Sequence, residues 1–234
     1  MIAITECVKS LPLLRKKTAV TASSSAATRT ISQGLAVSPI PVQDEQIQAL
    51  LHHLFFRRTR QPVRHVGFAA SEAGPANGQL CLSVAHALAA SGRYDVGVID
   101  AVASSALPSG NSASPAEPSE SQQCQIANRL WLVPYRSWLP DETASCVSEE
   151  SFARLGEIAS QFDFAIVSCP PVSPLTLKLG LACDGLVLVL TANTTRRLAA
   201  QQMKLRLESA GVALLGTVLT ERRFPVPEGL YRKL

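Results

Sequence analysis

The chain has 234 residues, 47% of them apolar, and a formal charge of +4. That is material for one α/β domain with appended segments, and the charge is too mild to demand a nucleic-acid or membrane partner. Six cysteines, at positions 7, 81, 124, 146, 169 and 183, form no Cys-x-x-Cys pair and read as small buried hydrophobes of a reducing cytosol rather than a disulfide framework. No apolar run is long enough to cross a bilayer, and Met1–Leu14, interrupted by Glu6 and Lys9, is expected to be neither leader nor span.

Residues 1–43 are expected to form a disordered arm, rich in Ser, Ala and Thr and closed by Pro39-Ile-Pro41. Asp44 then N-caps a helix through Phe56 with Ile47, Leu50, Leu51, Leu54 and Phe55 on one face. Strands are expected over Val63–Ala70, Val96–Asp100, Leu130–Val133, Phe164–Ser168, Leu186–Thr191 and Leu214–Leu219. Helices fit Gln79–Ser91, Glu149–Gln161, Pro174–Ala182 and Thr195–Ala210. A low-complexity stretch from Ala101 to Gln123 reads as a surface loop within a domain covering residues 44–234. The strand runs are continuously apolar, as strands covered on both faces are. Their alternation with helices predicts a doubly wound, mostly parallel sheet in a three-layer α/β sandwich. Ligands of such sheets bind beyond the carboxyl ends of the strands.

The segments at those ends resemble bacterial tyrosine kinases of capsule and exopolysaccharide synthesis, relatives of the partition and division-site ATPases with a deviant P-loop. The resemblance runs from about Glu45 to Thr220. It rests on the leading helix from Glu45, Val66–Gly74 as first strand and turn, Ser83–Gly92 as the helix after the phosphate loop, and Val96–Asp100 as the second strand. Phe162–Pro171 resembles the Walker B strand with its double proline, and the last two strands match at Ala182–Val189 and Ala210–Thr220. The resemblance implies a P-loop NTPase-like fold.

Measured against that family, the chemistry is missing. A working phosphate loop ends in Gly-x-Gly-Lys-Ser/Thr, where glycines let backbone N–H groups face the phosphates, the lysine neutralises them and the hydroxyl ligates Mg²⁺. The matching run is Gly74-Pro75-Ala76-Asn77-Gly78-Gln79. Ala76 replaces the second glycine, Pro75 removes an amide, Asn77 stands for the lysine, and Gly78 (or Gln79, with a one-residue slip) for the hydroxyl. Of the acidic pair after the second strand only Asp100 remains, followed by Ala101 and Val102. Ser168 occupies the Walker B aspartate position, and Thr220 replaces the asparagine that reads the base. The leading helix reads Glu45-x-x-Gln48-x-x-Leu51 where the family's ring-assembly motif is Glu-x-x-Arg-x-x-Arg, and the tail has one tyrosine, Tyr231, as a phosphorylation candidate in place of a cluster.

These losses predict a catalytically degenerate member acting as a binding or regulatory module, with no catalytic residue, no metal and no cofactor. Asp100 and Ser168 are then vestigial catalytic positions, and Gly74, Ala76, Asn77, Gly78, Gln79 and Thr220 vestigial nucleotide contacts. The alternative is an active tyrosine autokinase using Mg-ATP through an unorthodox loop. A decayed gene copy is a third reading, opposed by the intact apolar pattern from Val63 to Leu219. The resemblance implies a cytoplasmic protein at the inner face of the cell membrane, beside a chain-length-determinant-type membrane protein of polysaccharide export. Self-association into a homo-oligomer stays open, and the basic residues lack the aromatic interleaving of a nucleic-acid groove. Asp100 also reads as a strand-end cap, Cys169 as a packed thiol, His65 and His86 as half-buried residues, and Trp131, Tyr135 and Trp138 as a core-edge cluster.

Overall fold

A computed structural model describes residues 44–56, 62–102, 123–139 and 147–221. The arm expected over 1–43, most of the low-complexity loop and the tail with Tyr231 lie outside the described residues. The chain runs α1 (Asp44–Phe55), β1 (His65–Ala70), α2 (Pro75–Ala89), β2 (Val96–Asp100), β3 (Cys124–Ala127), β4 (Leu130–Val133) and α3 (Tyr135–Trp138). It continues through α4 (Glu149–Ala159), β5 (Phe164–Cys169), α5 (Pro174–Ala182), β6 (Gly185–Thr191), α6 (Arg197–Ser209) and β7 (Leu214–Thr220).

The strands form one sheet in the order β3-β4-β2-β5-β1-β6-β7, parallel except for the β3–β4 pair. Every residue of β2 and β5 is buried, which is why these strands read as unbroken apolar runs. α1 and α2 pack on one face through Ile47, Leu50, Leu54, Leu80, Val84 and Leu88. Residues from α3, α4, α5 and α6, among them Trp138, Leu155, Leu179 and Leu207, cover the other. This division follows from handedness. The path from β1 to β2 runs one way across the sheet, and the paths from β4 to β5, β5 to β6 and β6 to β7 run the other way. Right-handed crossovers therefore put α2 on one face and the later helices opposite. β1 and β5 are neighbours, so the chain leaves their carboxyl ends toward opposite faces, and the crevice between those ends is the switch point where such sheets bind ligands.

Two sequence expectations need correction. α2 starts at Pro75, not Gln79, because proline at the first helical position presets φ and has no N–H to leave unpaired. β3 and the one-turn α3 were not anticipated: β3 is a four-residue edge strand with half-buried ends and exposed centre, without an alternating signal. Shorter shifts occur at other ends. α6 begins at Arg197 rather than Thr195, since Thr195 closes a turn on the Thr191 carbonyl and its hydroxyl accepts the Thr191 N–H at 3.1 Å. His86 is exposed rather than half-buried, on the side of α2 roughly opposite Leu88.

Local locks hold the sheet ends. Asp184 Oδ2 accepts the N–H groups of Arg64 and His65 at 2.8 and 2.9 Å, fixing the start of β1 beside β6. Thr176, fully buried, donates its hydroxyl to the carbonyls of Pro170 and Pro171, both at 3.0 Å, so the double proline is tied to the first turn of α5. Phe162 lies over Gly97, where a Cβ would come within 2.3 Å of its ring.

Candidate functional site

The site is built at the carboxyl ends of β1, β2 and β5. Gly74 is the N-cap of α2 in an extended conformation, with no side-chain cap and open space where a Cβ would stand. Pro75 and Ala76 open the helix, and Asn77 and Gly78 are already inside its first turn and buried. The run matched to a phosphate loop is therefore largely helix. Gln79 is half-buried, and its carbonyl accepts the Ser83 hydroxyl at 2.9 Å.

Asn77 does not project outward. Its side chain turns into the switch-point crevice, where Nδ2 donates to the carbonyl of Phe68 on β1 at 3.0 Å and of Cys169 on β5 at 3.1 Å. Ser168 Oγ lies 3.5 Å from the same nitrogen. The two carbonyl acceptors fix the orientation of the amide, so Oδ1 is left as a buried acceptor without a partner. An acceptor offers nothing to a phosphate oxygen, and both amide hydrogens are already engaged.

Around Asn77 the structure gathers Asp100 and Ser168, which face each other in the β2–β5 register, and Cys81, one helical turn further along α2. Asp100 is 7% exposed, and its Oδ1 accepts the Val102 N–H at 3.0 Å, the strand-end role the sequence suggested. Its carbonyl accepts the Trp138 indole N–H at 2.8 Å, which ties α3 to the end of β2. The Cys81 thiol is pushed well up by burial, partly offset by a hydrogen bond with Ser168 and reinforced by the nearby Asp100 carboxylate. Burial likewise holds the Cys169 thiol far above its ordinary value, and its Sγ contacts the Val167 carbonyl. Neither thiol is available as a thiolate nucleophile.

Thr220 does not join this group. It ends β7, two strands away from β1, and its hydroxyl donates to the Leu190 carbonyl of β6 at 3.2 Å. A surface depression of about 420 Å³ lies beside it, lined by Thr191, Asn193, Thr195, Arg197 and Leu219. A second, of about 240 Å³, is lined by Ser71, Met203 and Arg206 among others. The Ser71 and Thr195 hydroxyls bond at 2.7 Å, joining the loop after β1 to the loop after β6. Sequence reading missed the place of Cys81 beside Asn77, the tie from Trp138 to the end of β2, and this hydroxyl pair. The four-residue spacing from Asn77 to Cys81 was the available signal for the first, and the other two needed the fold.

The residues present do not fit Mg-ATP. A phosphate needs donors and positive charge, and the lysine position is an amide spent on the sheet's own carbonyls. A divalent ion needs several hard oxygen ligands, while Ser168, Asn77 and Cys81 bring no charge to Asp100. Among the described residues no group of three or more His, Cys, Asp or Glu side chains is arranged to hold a metal.

No family profile matches the chain. The tyrosine-protein kinase CpsD of Streptococcus agalactiae is 30% identical over 95 residues, 40% of this chain and 42% of that protein. The chain thus aligns with about two-fifths of the length of the curated relatives it matches. Among solved structures, the kinase domain of the Escherichia coli tyrosine kinase ETK superposes with a TM-score of 0.59 at 16% identity, covering 80% of each chain. The chimerical protein CapA2B2 gives 0.58 at 16% identity, covering 78% of this chain and 86% of that one. At such identities the structures establish the fold, a mostly parallel sheet flanked by helices as in P-loop NTPases. Taken with the partial sequence match to CpsD, this fold makes the chain similar to the P-loop ATPase and tyrosine-kinase-like superfamily.

Proposed function

We propose that this chain is a catalytically silent member of that superfamily, working as a binding or regulatory module in exopolysaccharide synthesis or export. The observation that carries the proposal is Asn77. The residue at the phosphate-lysine position bridges β1 and β5 from within, its amide hydrogens spent on the carbonyls of Phe68 and Cys169. With Asp100 as the sole carboxylate of the three expected acidic positions, the site has neither the charge to hold Mg²⁺ nor a group to activate an attacking hydroxyl. The link to polysaccharide synthesis rests on the resemblance to capsule kinases and the partial match to CpsD. The proposed setting is the cytoplasmic side of the membrane, beside a chain-length-determinant-type protein. No helix among the described residues is long and apolar enough to cross a bilayer.

The test is phosphotransfer. The purified chain, incubated with γ-labelled ATP and Mg²⁺, is expected to incorporate no label and release no phosphate above a buffer blank. Turnover abolished by Asp100→Ala would overturn the proposal.

A further inference from the structure

α6 differs from the other long helices in what it leaves uncovered. Of its thirteen residues only Leu207 is fully buried, with Met203 packed beside it. Leu198 and Leu205 are 66% and 63% exposed, the highest values among the exposed large apolar residues described. They stand seven positions apart, so they share one face, and Leu205 points roughly opposite to Leu207. Around these two outward leucines, with the exposed Gln201 and Gln202 between them, the helix is cationic. Arg206 flanks it on one side and Arg197 on the other, both exposed, with Arg196 just before the helix. Glu208 is the acidic residue of α6, and it pairs with Lys204 at 3.6 Å. No described residue forms an ion pair with Arg196, Arg197 or Arg206.

We propose that this face of α6 docks on an anionic lipid surface, with Leu198 and Leu205 entering the headgroup boundary and Arg197 and Arg206 meeting lipid phosphates. Apolar residues flanked by long cationic side chains are what an interfacial helix needs, because arginine stems lie along the apolar boundary while their guanidinium groups stay at headgroup level. The charge selects the surface: exposed arginines repel a cationic partner and favour an acidic one. The size of the patch selects lipid over protein. Two leucine side chains supply only a fraction of the roughly 800 Å² per partner that a stable protein interface buries. A bilayer needs no complementary shape and adds its charge collectively. The inference is independent of nucleotide binding, since α6 contributes no residue to the Asn77 cluster.

The experiment is co-sedimentation of the full chain with vesicles of phosphatidylcholine alone, or of phosphatidylcholine and phosphatidylglycerol in equal parts. Binding is expected only to the mixed vesicles and is expected to fall with added salt. Arg197→Gln with Arg206→Gln should weaken it by about twenty-five-fold, since each cation near an anionic surface is worth roughly a factor of five. Leu198→Gln with Leu205→Gln should also weaken it while leaving the urea midpoint unchanged, because both side chains are exposed. Equal binding to neutral vesicles, or no binding to either, would overturn the proposal. So would variants that bind as the parent does, which would assign the contact to basic segments elsewhere. If the leucine variant instead turns a sedimenting dimer into a monomer without altering vesicle binding, the face is a contact between copies of the chain and the lipid proposal fails.

Discussion

Asn77 holds two strand ends together with one amide group, and its removal should be felt in stability before anything else. Asn77→Ala deletes two buried hydrogen bonds and strands the carbonyls of Phe68 and Cys169. A loss of about 1–3 kcal/mol is expected, seen as a lower urea midpoint with unchanged slope. Asn77→Asp should cost more than alanine, because it turns an acceptor oxygen toward those two carbonyls. If Asn77→Ala is neutral, the bridge described here is not a stabilising feature of the fold. The thiols beside it yield a second prediction. Burial raises the pKa of both Cys81 and Cys169, so the folded thiols stay protonated where an unfolded thiol, near 8.5, ionises. Their contribution to stability is therefore intact below about pH 8.5 and declines as pH rises above it. At pH 9, labelling with a thiol reagent should leave both unmodified in the native protein and modify both in urea. At this scale the sequence was only partly legible. It named Asn77 and Ser168 as positions that had lost charge and Asp100 as the acidic residue that remains. The inward turn of Asn77 was hidden, because that turn depends on carbonyls 9 and 92 residues away along the chain.

At the scale of elements, β1, β2, β5 and β6 were readable because strands buried on both faces leave unbroken apolar runs. α1 was readable because its buried residues recur with helical spacing. The start of α2 was misread. The glycines at 74 and 78 suggested a loop, whereas Pro75 at the first helical position carries the helix through Gly78. That four-residue difference matters, since it turns a phosphate-cradling loop into a helical turn with one amide missing. β3 escaped because an exposed edge strand of four residues has no pattern to find. Packing between elements supports a third prediction at Gly97. The Phe162 ring occupies the space of a Cβ there and also stacks obliquely on Trp131, with centroids 5.8 Å apart. Gly97→Ala must push the ring aside in a buried strand and should destabilise by about 1–3 kcal/mol. The pair Gly97→Ala with Phe162→Leu should recover part of that loss, which a urea double-mutant cycle would detect.

For the whole molecule, right-handed crossovers set the layers once the strand order is given, and the alternation of strands and helices in the sequence already implied a ligand place beyond the strands' carboxyl ends. The switch-point crevice is present, but its polar groups face one another: Asn77 to the carbonyls, Ser168 to Cys81, Asp100 to Val102. The crevice lies where such sheets bind ligands, and the residues around Asn77 do not supply the positive charge a phosphate needs. The central claim is that this site does not take Mg-ATP, and calorimetric titration of Mg-ATP into the purified chain tests it most directly. The account predicts no saturable heat up to millimolar nucleotide, with or without Mg²⁺. Saturable one-to-one binding at micromolar concentration, lost on Asp100→Ala, would contradict it.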